Sequence, residues 1–284
     1  MASKKTALVT GVTEGGIGYW LARTLQGSGY DVVGSVRSKG KEGDLAERGV
    51  KIIEMSIDNQ ESIEAGKKAF LELSPRLDLL VNNAGLGTKE ALIDVPAEQV
   101  QRIFQTNVFG LLWCCQAFAP IMAKQGSGII VNVGSVAGIA SVPWMGLYGA
   151  TKAAVRSLCA TMDYEFRPLG IKVVHLAPAL IHTPFSTKVA KLDYQGDVYD
   201  KSSVAVSDEA TDIMVQTNNG RGMKPDEFAK EVVRQLSWSE PPAEIIVGTD
   251  GWLFKLVNPY MPTRWWRSMT AKSCKSVELK PASA

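Results

Sequence analysis

Tyr148 and Lys152 stand four residues apart in the segment Tyr-Gly-Ala-Thr-Lys, at the start of a helical pattern. That spacing puts both side chains on one face, where their heads can meet at one ligand. A phenol titrating near ~10 is a poor acid–base group at neutral pH, but a neighbouring ammonium stabilises the phenolate and lowers that value. Ser135, in Asn132-Val133-Gly134-Ser135, falls just past a short apolar run, where the ligand crevice of an open α/β sheet lies. Its hydroxyl can hold a substrate oxygen against Tyr148. Asn107, in Thr-Asn-Val-Phe-Gly, opens a long apolar helix, as an N-cap or as a group that organises a water. Taken singly, Ser135 is an ordinary turn residue and Asn107 an ordinary cap. Taken with the Tyr/Lys pair, catalysis is the better reading.

A second constellation points to a phosphate. The run from Thr10 to Gly18 (TGVTEGGIG) lies between an apolar run and a helical pattern. Gly11 allows the tight turn, Gly16 lets backbone approach a pyrophosphate, and Gly18 permits close helix packing, while the helix N-terminus offers unpaired N–H groups. The bland alternative is a sharp turn with no ligand. An acidic residue closing the second strand would select NAD, whereas an arginine there accommodates the 2′-phosphate of NADP. Val36 is followed by Arg37, Ser38 and Lys39, which favours NADP(H) over a merely solvated basic loop.

The elements that must position these residues are legible as short apolar runs at Lys5 to Thr10, Asp31 to Val36, Val50 to Met55, Asp78 to Val81, Gly128 to Val133, Ile171 to Leu176 and Glu244 to Val247. Helical patterns separate them, among them Ile17 to Gln26 and Ser62 to Leu73. Seven strands interleaved with helices imply a doubly wound parallel α/β sheet covered on both faces. No repeat or linker divides the chain, so one domain is expected over residues 1–250. A non-periodic, partly mobile substrate-loop insertion is expected at about 185–224, including Gln195-Gly196-Asp197 and Thr217-Asn218-Asn219-Gly220, with an aromatic and basic extension over 251–284, frayed beyond Ser273.

Composition narrows the function. In 284 residues, 31 Lys plus Arg against 29 Asp plus Glu leave a net charge of +2, so nucleic acid is not an expected partner. The four cysteines lack metal-ligand spacing and the two histidines are too few for a His-rich zinc site, so no metal is expected. His175, inside an apolar run, reads as a satisfied core residue. The amino-terminal segment carries no secretory pattern, and a reduced cytoplasmic setting is expected.

The glycine turn, Asn82-Asn83-Ala84-Gly85, Asn107, Ser135, Tyr148-x-x-x-Lys152 and the stretch from Pro178 to Thr183 together resemble the short-chain dehydrogenase/reductase family, over roughly residues 5–250. The resemblance implies a single-domain Rossmann-fold oxidoreductase with an Asn-Ser-Tyr-Lys tetrad. Tyr148 would exchange a proton with the oxygen, Ser135 would orient the carbonyl, and Asn107 would support a water-mediated relay. Lys152 would also bind the nicotinamide ribose. Thr13 and Ile17 would join the glycines at the phosphates, Asn83, Ala84 and Gly85 would line the adenosine side, and Pro178, Ile181 and Thr183 would flank the carboxamide. The Asn-Val-Phe-Gly segment and the aromatic tail are similar to the branch of fungal acyl-dihydroxyacetone-phosphate reductases and 17β-hydroxysteroid dehydrogenases. Three positions depart from the family pattern. The glycine turn carries one extra residue, Ser56 replaces an adenine-binding Asp and leaves Asp58 as its substitute, and Ala179 replaces the Gly after Pro178.

The expected reaction is NADPH-dependent reduction of a ketone or aldehyde on a mid-sized apolar substrate, lined in part by Trp144, Met145, Leu147 and Phe185. His182, beside the nicotinamide segment, is a minor candidate for substrate contact. An imine or activated alkene is an alternative acceptor, and a catalytically idle NADP(H)-binding regulator is a rival of another class. Residues Val108 to Met122 are apolar nearly all round, fitting a deeply packed helix or one paired with a second subunit, and a homodimer or homotetramer is expected. The aromatic tail could lie on a membrane surface; a lid over the substrate pocket is the favoured reading.

Overall fold

The computed structural model describes residues 4–185, 189, 192, 194–215, 222–257 and 260–282, with 215 and 257 in backbone only. Its strands are β1 (Thr6–Thr10), β2 (Asp31–Val36), β3 (Lys51–Glu54), β4 (Leu79–Asn82), β5 (Gly128–Val133), β6 (Ile171–Pro178) and β7 (Glu244–Val247). They form one parallel sheet in the order β3-β2-β1-β4-β5-β6-β7. The α/β doubly wound expectation is met.

Both faces of the sheet are buried, which is why its strands read as continuous apolar runs rather than alternating ones. Ala7 and Val9 of β1, Leu79 and Val81 of β4, and Val174 and Leu176 of β6 belong to one core. Their neighbours Leu8, Leu80 and Val173 belong to the other. Helices α1 (Ile17–Gly27) and α2 (Gln60–Leu73) follow β1 and β3. Asn59 caps α2, its side chain accepting the Ser62 N–H at 2.7 Å, an arrangement worth about 1 kcal/mol over alanine. On the second face Phe70 of α2 meets Phe118 edge-on at 5.8 Å between centroids.

Three expectations are corrected. Asn107 does not open a helix: α3 runs continuously over Ala97–Gln125, and its middle, Gln105–Gly110, is wound as a π-helix. The apolar window of α3 is 61% buried, as in a core helix. The expected insertion is not devoid of periodicity, because it contains helix α5 (Lys201–Val215) after α4 (Gly146–Phe166). The segment at 217–220 lies outside the described residues. Helices α6 (Pro225–Leu236) and α7 (Thr263–Ser273) follow. Beyond Ser273 the chain is tied back rather than frayed: Asp200 N–H donates to Lys280 O at 2.8 Å and Ala282 N–H to Val198 O at 2.9 Å.

His175 is only half satisfied. Its Nδ1 lies 2.9 Å from Glu244 Oε1, but its buried Nε2 has no partner. The histidine and then Arg156, whose Nε is 2.8 Å from the same carboxylate, hold Glu244 down at about 2. A depressed carboxyl contributes stability that is complete above its ordinary range near ~4.5 and is lost as pH falls from there through the folded value. Allowing for partial solvent screening, Glu244→Gln is expected to cost on the order of 1–2 kcal/mol at pH 7. It should also flatten the acid limb of stability below pH ~4.5, read as urea midpoints against pH. Parallel curves for the two proteins would remove this role for Glu244.

Candidate active site

Strand order reverses between β1 and β4, so the connections from their carboxyl ends leave in opposite directions and open a crevice. A cleft of about 690 Å³ occupies this edge, between the glycine turn and the carboxyl-terminal extension.

At one end the extra residue of the glycine turn is absorbed by a tight turn. Gly16 N–H donates to Thr13 O at 3.0 Å, with Gly15 at φ +74°, a conformation open mainly to glycine. The first turn of α1 has no side-chain cap and no acidic residue, so its N–H groups and partial positive charge stay available to an anion. A Cβ on Gly18 would overlap the side-chain amide of Asn83. That amide donates to Thr10 O at 2.9 Å and Gly11 O at 3.0 Å. Thr10 Oγ1 in turn accepts the N–H groups of Asn83 and Ala84, each at 3.0 Å. The glycine turn and the segment after β4 are thus one hydrogen-bonded unit. Thr10 is its joint, and its only sequence signal was its place at the end of a strand.

Gly11, Thr13, Gly16, Ile17 and Arg37 line the cleft, as do Asn83, Ala84 and Gly85. Pro178, Ile181 and Thr183 line it farther along. Gly18 lies behind the wall, and neither Ser38 nor Asp58 reaches the cleft. Asp58 lies 3.7 Å from Arg37 Nη2 and accepts from Ser56 Oγ at 2.5 Å, so Ser56 and Asp58 form one polar edge beside the arginine.

At the other end Ser135, Tyr148 and Lys152 come together, all lining the cleft and nearly buried. Ser135 follows β5 and accepts the Ala137 N–H at 3.1 Å, so it is also the turn cap that the bland reading names. Tyr148 and Lys152 share the inner face of α4. Lys152 Nζ donates to Val133 O at 2.8 Å and sits 5.7 Å from the centre of the Tyr148 ring. In the protein by itself burial pushes the phenol up to about 12, opposed by a hydrogen bond with Ser135, and burial draws Lys152 down to about 8. The spacing suggests a phenol lowered by its ammonium; in the protein by itself the phenol is instead raised, because burial penalises the phenolate.

Asn107 does not line the cleft; it braces the wall. Its Oδ1 accepts the Leu86 N–H at 2.7 Å, and its Nδ2 donates to Leu86 O at 2.8 Å and to Thr151 Oγ1 at 3.1 Å. Thr151 passes the contact on to Tyr148 O at 2.8 Å. The π-wound turn that carries Asn107 is a geometry frequent at functional sites. Thr151, between the tyrosine and lysine in sequence, was overlooked because its role depends on α3.

Of the expected substrate-side residues, Met145 and Phe185 line the cleft, with Phe185 5.8 Å from the Tyr148 ring. Trp144 and Leu147 do not: Trp144 turns away and donates to Ser207 Oγ at 3.2 Å, and Leu147 packs with Ile103. His182 is exposed and outside the lining. Phe254, Trp266 and Met269 from the extension close this end, whereas Trp252 and Trp265 stay exposed. Among the described residues no cluster suits a metal ion.

This crevice, with an anion-ready helix end on one side and a buried Ser, Tyr and Lys on the other, is the architecture of a dinucleotide-dependent oxidoreductase. The model of the short chain dehydrogenase family matches residues 5–193, and the chain belongs to that family. A short-chain dehydrogenase of Talaromyces islandicus is 30% identical over 82% of this chain and 82% of its own length. The NADPH-dependent 1-acyldihydroxyacetone phosphate reductase of Saccharomyces cerevisiae is 27% identical over 91% of this chain and 87% of its own. Among solved structures, a short-chain dehydrogenase from Streptomyces avermitilis superposes with a TM-score of 0.80 at 25% identity, covering 98% of both chains. An alcohol dehydrogenase from Thermococcus sibiricus in complex with 5-hydroxy-NADP gives 0.70 at 25% identity, covering 88% of this chain and 98% of that one. The protein is a short-chain oxidoreductase of Rossmann-like fold, from a family that binds a nicotinamide cofactor.

Proposed function

We propose that the protein is an NADPH-dependent reductase of a ketone or aldehyde on a mid-sized apolar substrate. The observation that carries this reading is the meeting of Ser135, Tyr148 and Lys152 in one cleft with the uncapped start of α1. The cofactor's fit rests on the same uncapped helix end and on Arg37 at the lip. Gly11, Gly16 and Ile17 would hold its phosphates, Asn83, Ala84 and Gly85 its adenosine side, and Pro178, Ile181 and Thr183 its carboxamide. When bound, the nicotinamide nucleotide supplies the hydride. Ser135 Oγ donates to the substrate oxygen and holds it beside the phenol. Tyr148 delivers a proton to that oxygen. Lys152 stabilises the phenolate left behind, and Asn107, through Thr151, keeps the tyrosine's turn of α4 in place. Such placement of acid and substrate is worth several orders of magnitude in rate.

Arg37 is the basis for preferring NADPH. Its guanidinium is exposed at the lip and only loosely paired, at 3.7 Å from Asp58, so it can take a 2′-phosphate. A charge-assisted contact of this kind is worth roughly 1.5–3 kcal/mol, or about tenfold to a hundredfold in affinity. Arg37→Ala is expected to raise the KM for NADPH by that factor while leaving the KM for NADH unchanged, measured with one ketone and both cofactors. Wild-type preference for NADH would overturn the assignment.

The substrate side is apolar, with Val142, Met145, Phe185 and Phe254 in the wall, which favours a hydrophobic carbonyl compound. The four cysteines are unpaired and buried, in keeping with a reducing, cytoplasmic setting. A homodimer or homotetramer accompanies this reading, supported by Phe109, an exposed aromatic beside Trp113 on α3.

A further inference from the structure

Two residues of the far wall of the cleft each carry a buried polar atom that nothing among the described residues satisfies. Trp266 and Thr270 lie one turn apart on α7, so they share a face of that helix, and both line the cleft. Trp266 Nε1 and Thr270 Oγ1 are each shielded from solvent and without a hydrogen-bond partner among the described residues. Thr270 is 4% exposed. Around them the surface is apolar: the Trp266 ring packs on Phe254 at 5.5 Å between centroids, and Met214 and Met269 complete the wall. Buried polar atoms are ordinarily paired, and an orphan costs the desolvation of its group. Two orphans on one helix face, both in residues that line a ligand cleft, are explained by a ligand that supplies their partner.

The geometry points to a second polar subsite: Trp266 and Thr270 recognise a neutral hydrogen-bond acceptor on the substrate, remote from the carbonyl being reduced. The inference rests on the reading of this cleft as the substrate site. An indole N–H can only donate, and a threonine hydroxyl can donate as well, so the matching group is an acceptor such as a ketone, ester or hydroxyl oxygen. The charges argue against an anion. Among the described residues lining the cleft the ionisable groups besides Tyr148 are Glu14, Arg37, Lys152 and Asp250. Arg37 belongs to the nucleotide end and Lys152 to the reacting end. Asp250 immediately precedes the extension that carries α7, and no described cation lines the cleft on that side to balance a phosphate or carboxylate. A substrate that displaces their present cover on this face of α7 would give the two orphan atoms their partner. A substrate without the acceptor leaves them unpaired, so the subsite selects by penalty as well as by attraction.

Three methyl ketones of similar length test this: 2-undecanone, with no distal polar group, methyl 10-oxoundecanoate, with a neutral distal acceptor, and 10-oxoundecanoate, with a distal anion. Their dissociation constants from the NADPH-loaded protein are measured by calorimetry with Tyr148→Phe, so that binding is read without turnover. In this background the ester is expected to bind about three- to tenfold more tightly than 2-undecanone, and the carboxylate no better than 2-undecanone. Adding Thr270→Val, which conserves shape, or Trp266→Phe, which removes the N–H together with part of the ring, should abolish the ester's advantage over 2-undecanone while leaving NADPH binding unchanged. With Thr270→Val the binding of 2-undecanone itself should stay the same. An advantage that survives both changes, tightest binding by the carboxylate, or no binding by any of the three overturns the inference. Binding as expected with no NADPH oxidation by the otherwise unaltered enzyme leaves the subsite standing and sinks the proposed reaction instead.

Discussion

Tyr148→Phe is expected to lower kcat for ketone reduction about a thousandfold while leaving the affinity for NADPH within about twofold. The substitution removes one oxygen and keeps the ring, with its contact to Phe185 at 5.8 Å and its place beside Lys152. Packing and cofactor contacts therefore survive. What is lost is the proposed proton donor, and a water in its place would be neither held against the substrate oxygen nor matched in acidity. Stopped-flow absorbance at the nicotinamide band under single-turnover conditions separates the chemical step from product release. A variant that keeps more than a tenth of the wild-type rate would refute the assignment of Tyr148, and one that loses cofactor affinity as well would show that the phenol is structural.

Lys152→Met is expected to be nearly as damaging, with kcat reduced about a hundredfold to a thousandfold, because burial pushes the phenol up to about 12 and, on the proposed mechanism, the ammonium stabilises the phenolate that proton transfer leaves. Methionine retains most of the chain's length and its burial but carries no charge and cannot donate to Val133 O. The pH dependence supplies a readout that loss of packing would not. Lys152 is drawn down to about 8 in the protein alone, so its charged form is complete below that pH and is lost above it. Values of kcat/KM for NADPH, which report the free enzyme, should therefore fall on the alkaline side of pH ~8. The methionine variant should lack that limb. An alkaline limb that persists unchanged would assign it to another group and leave Lys152 only a binding role.

The two effects depend on one piece of scaffolding that neither residue supplies. Asn107 reaches from the π-wound turn of α3 to the Leu86 backbone and to Thr151, and Thr151 reaches the Tyr148 carbonyl. Loss of this brace is expected to displace the tyrosine's turn without touching the substrate, the behaviour of a positioning residue. The regular apolar run from Val108 onward hides the extra residue in the helix, because one inserted position barely disturbs a pattern that is apolar nearly all round.

The sheet was readable from sequence because a strand buried on both faces must be an unbroken apolar run, and such runs alternate with helical patterns here from Thr6 to Val247. The glycine turn, Ser135 and the Tyr148/Lys152 pair were equally readable, since each is set by local spacing: a turn needs its glycines within a few residues, and a shared helix face needs an interval of four. Tertiary structure alone decided the rest. Whether Trp144 or Met145 faces the cleft is settled by Ser207, 63 residues away; that Thr10 joins two loops is settled by Asn83, 73 residues away. The shift of the Tyr148 phenol likewise ran upward against the expectation, since a side chain's titration answers to how much water surrounds it, and burial is a property of the folded chain rather than of neighbours in sequence. The partnerless atoms of Trp266 and Thr270 belong to the same class: only the folded extension brings them to the cleft wall and removes them from solvent.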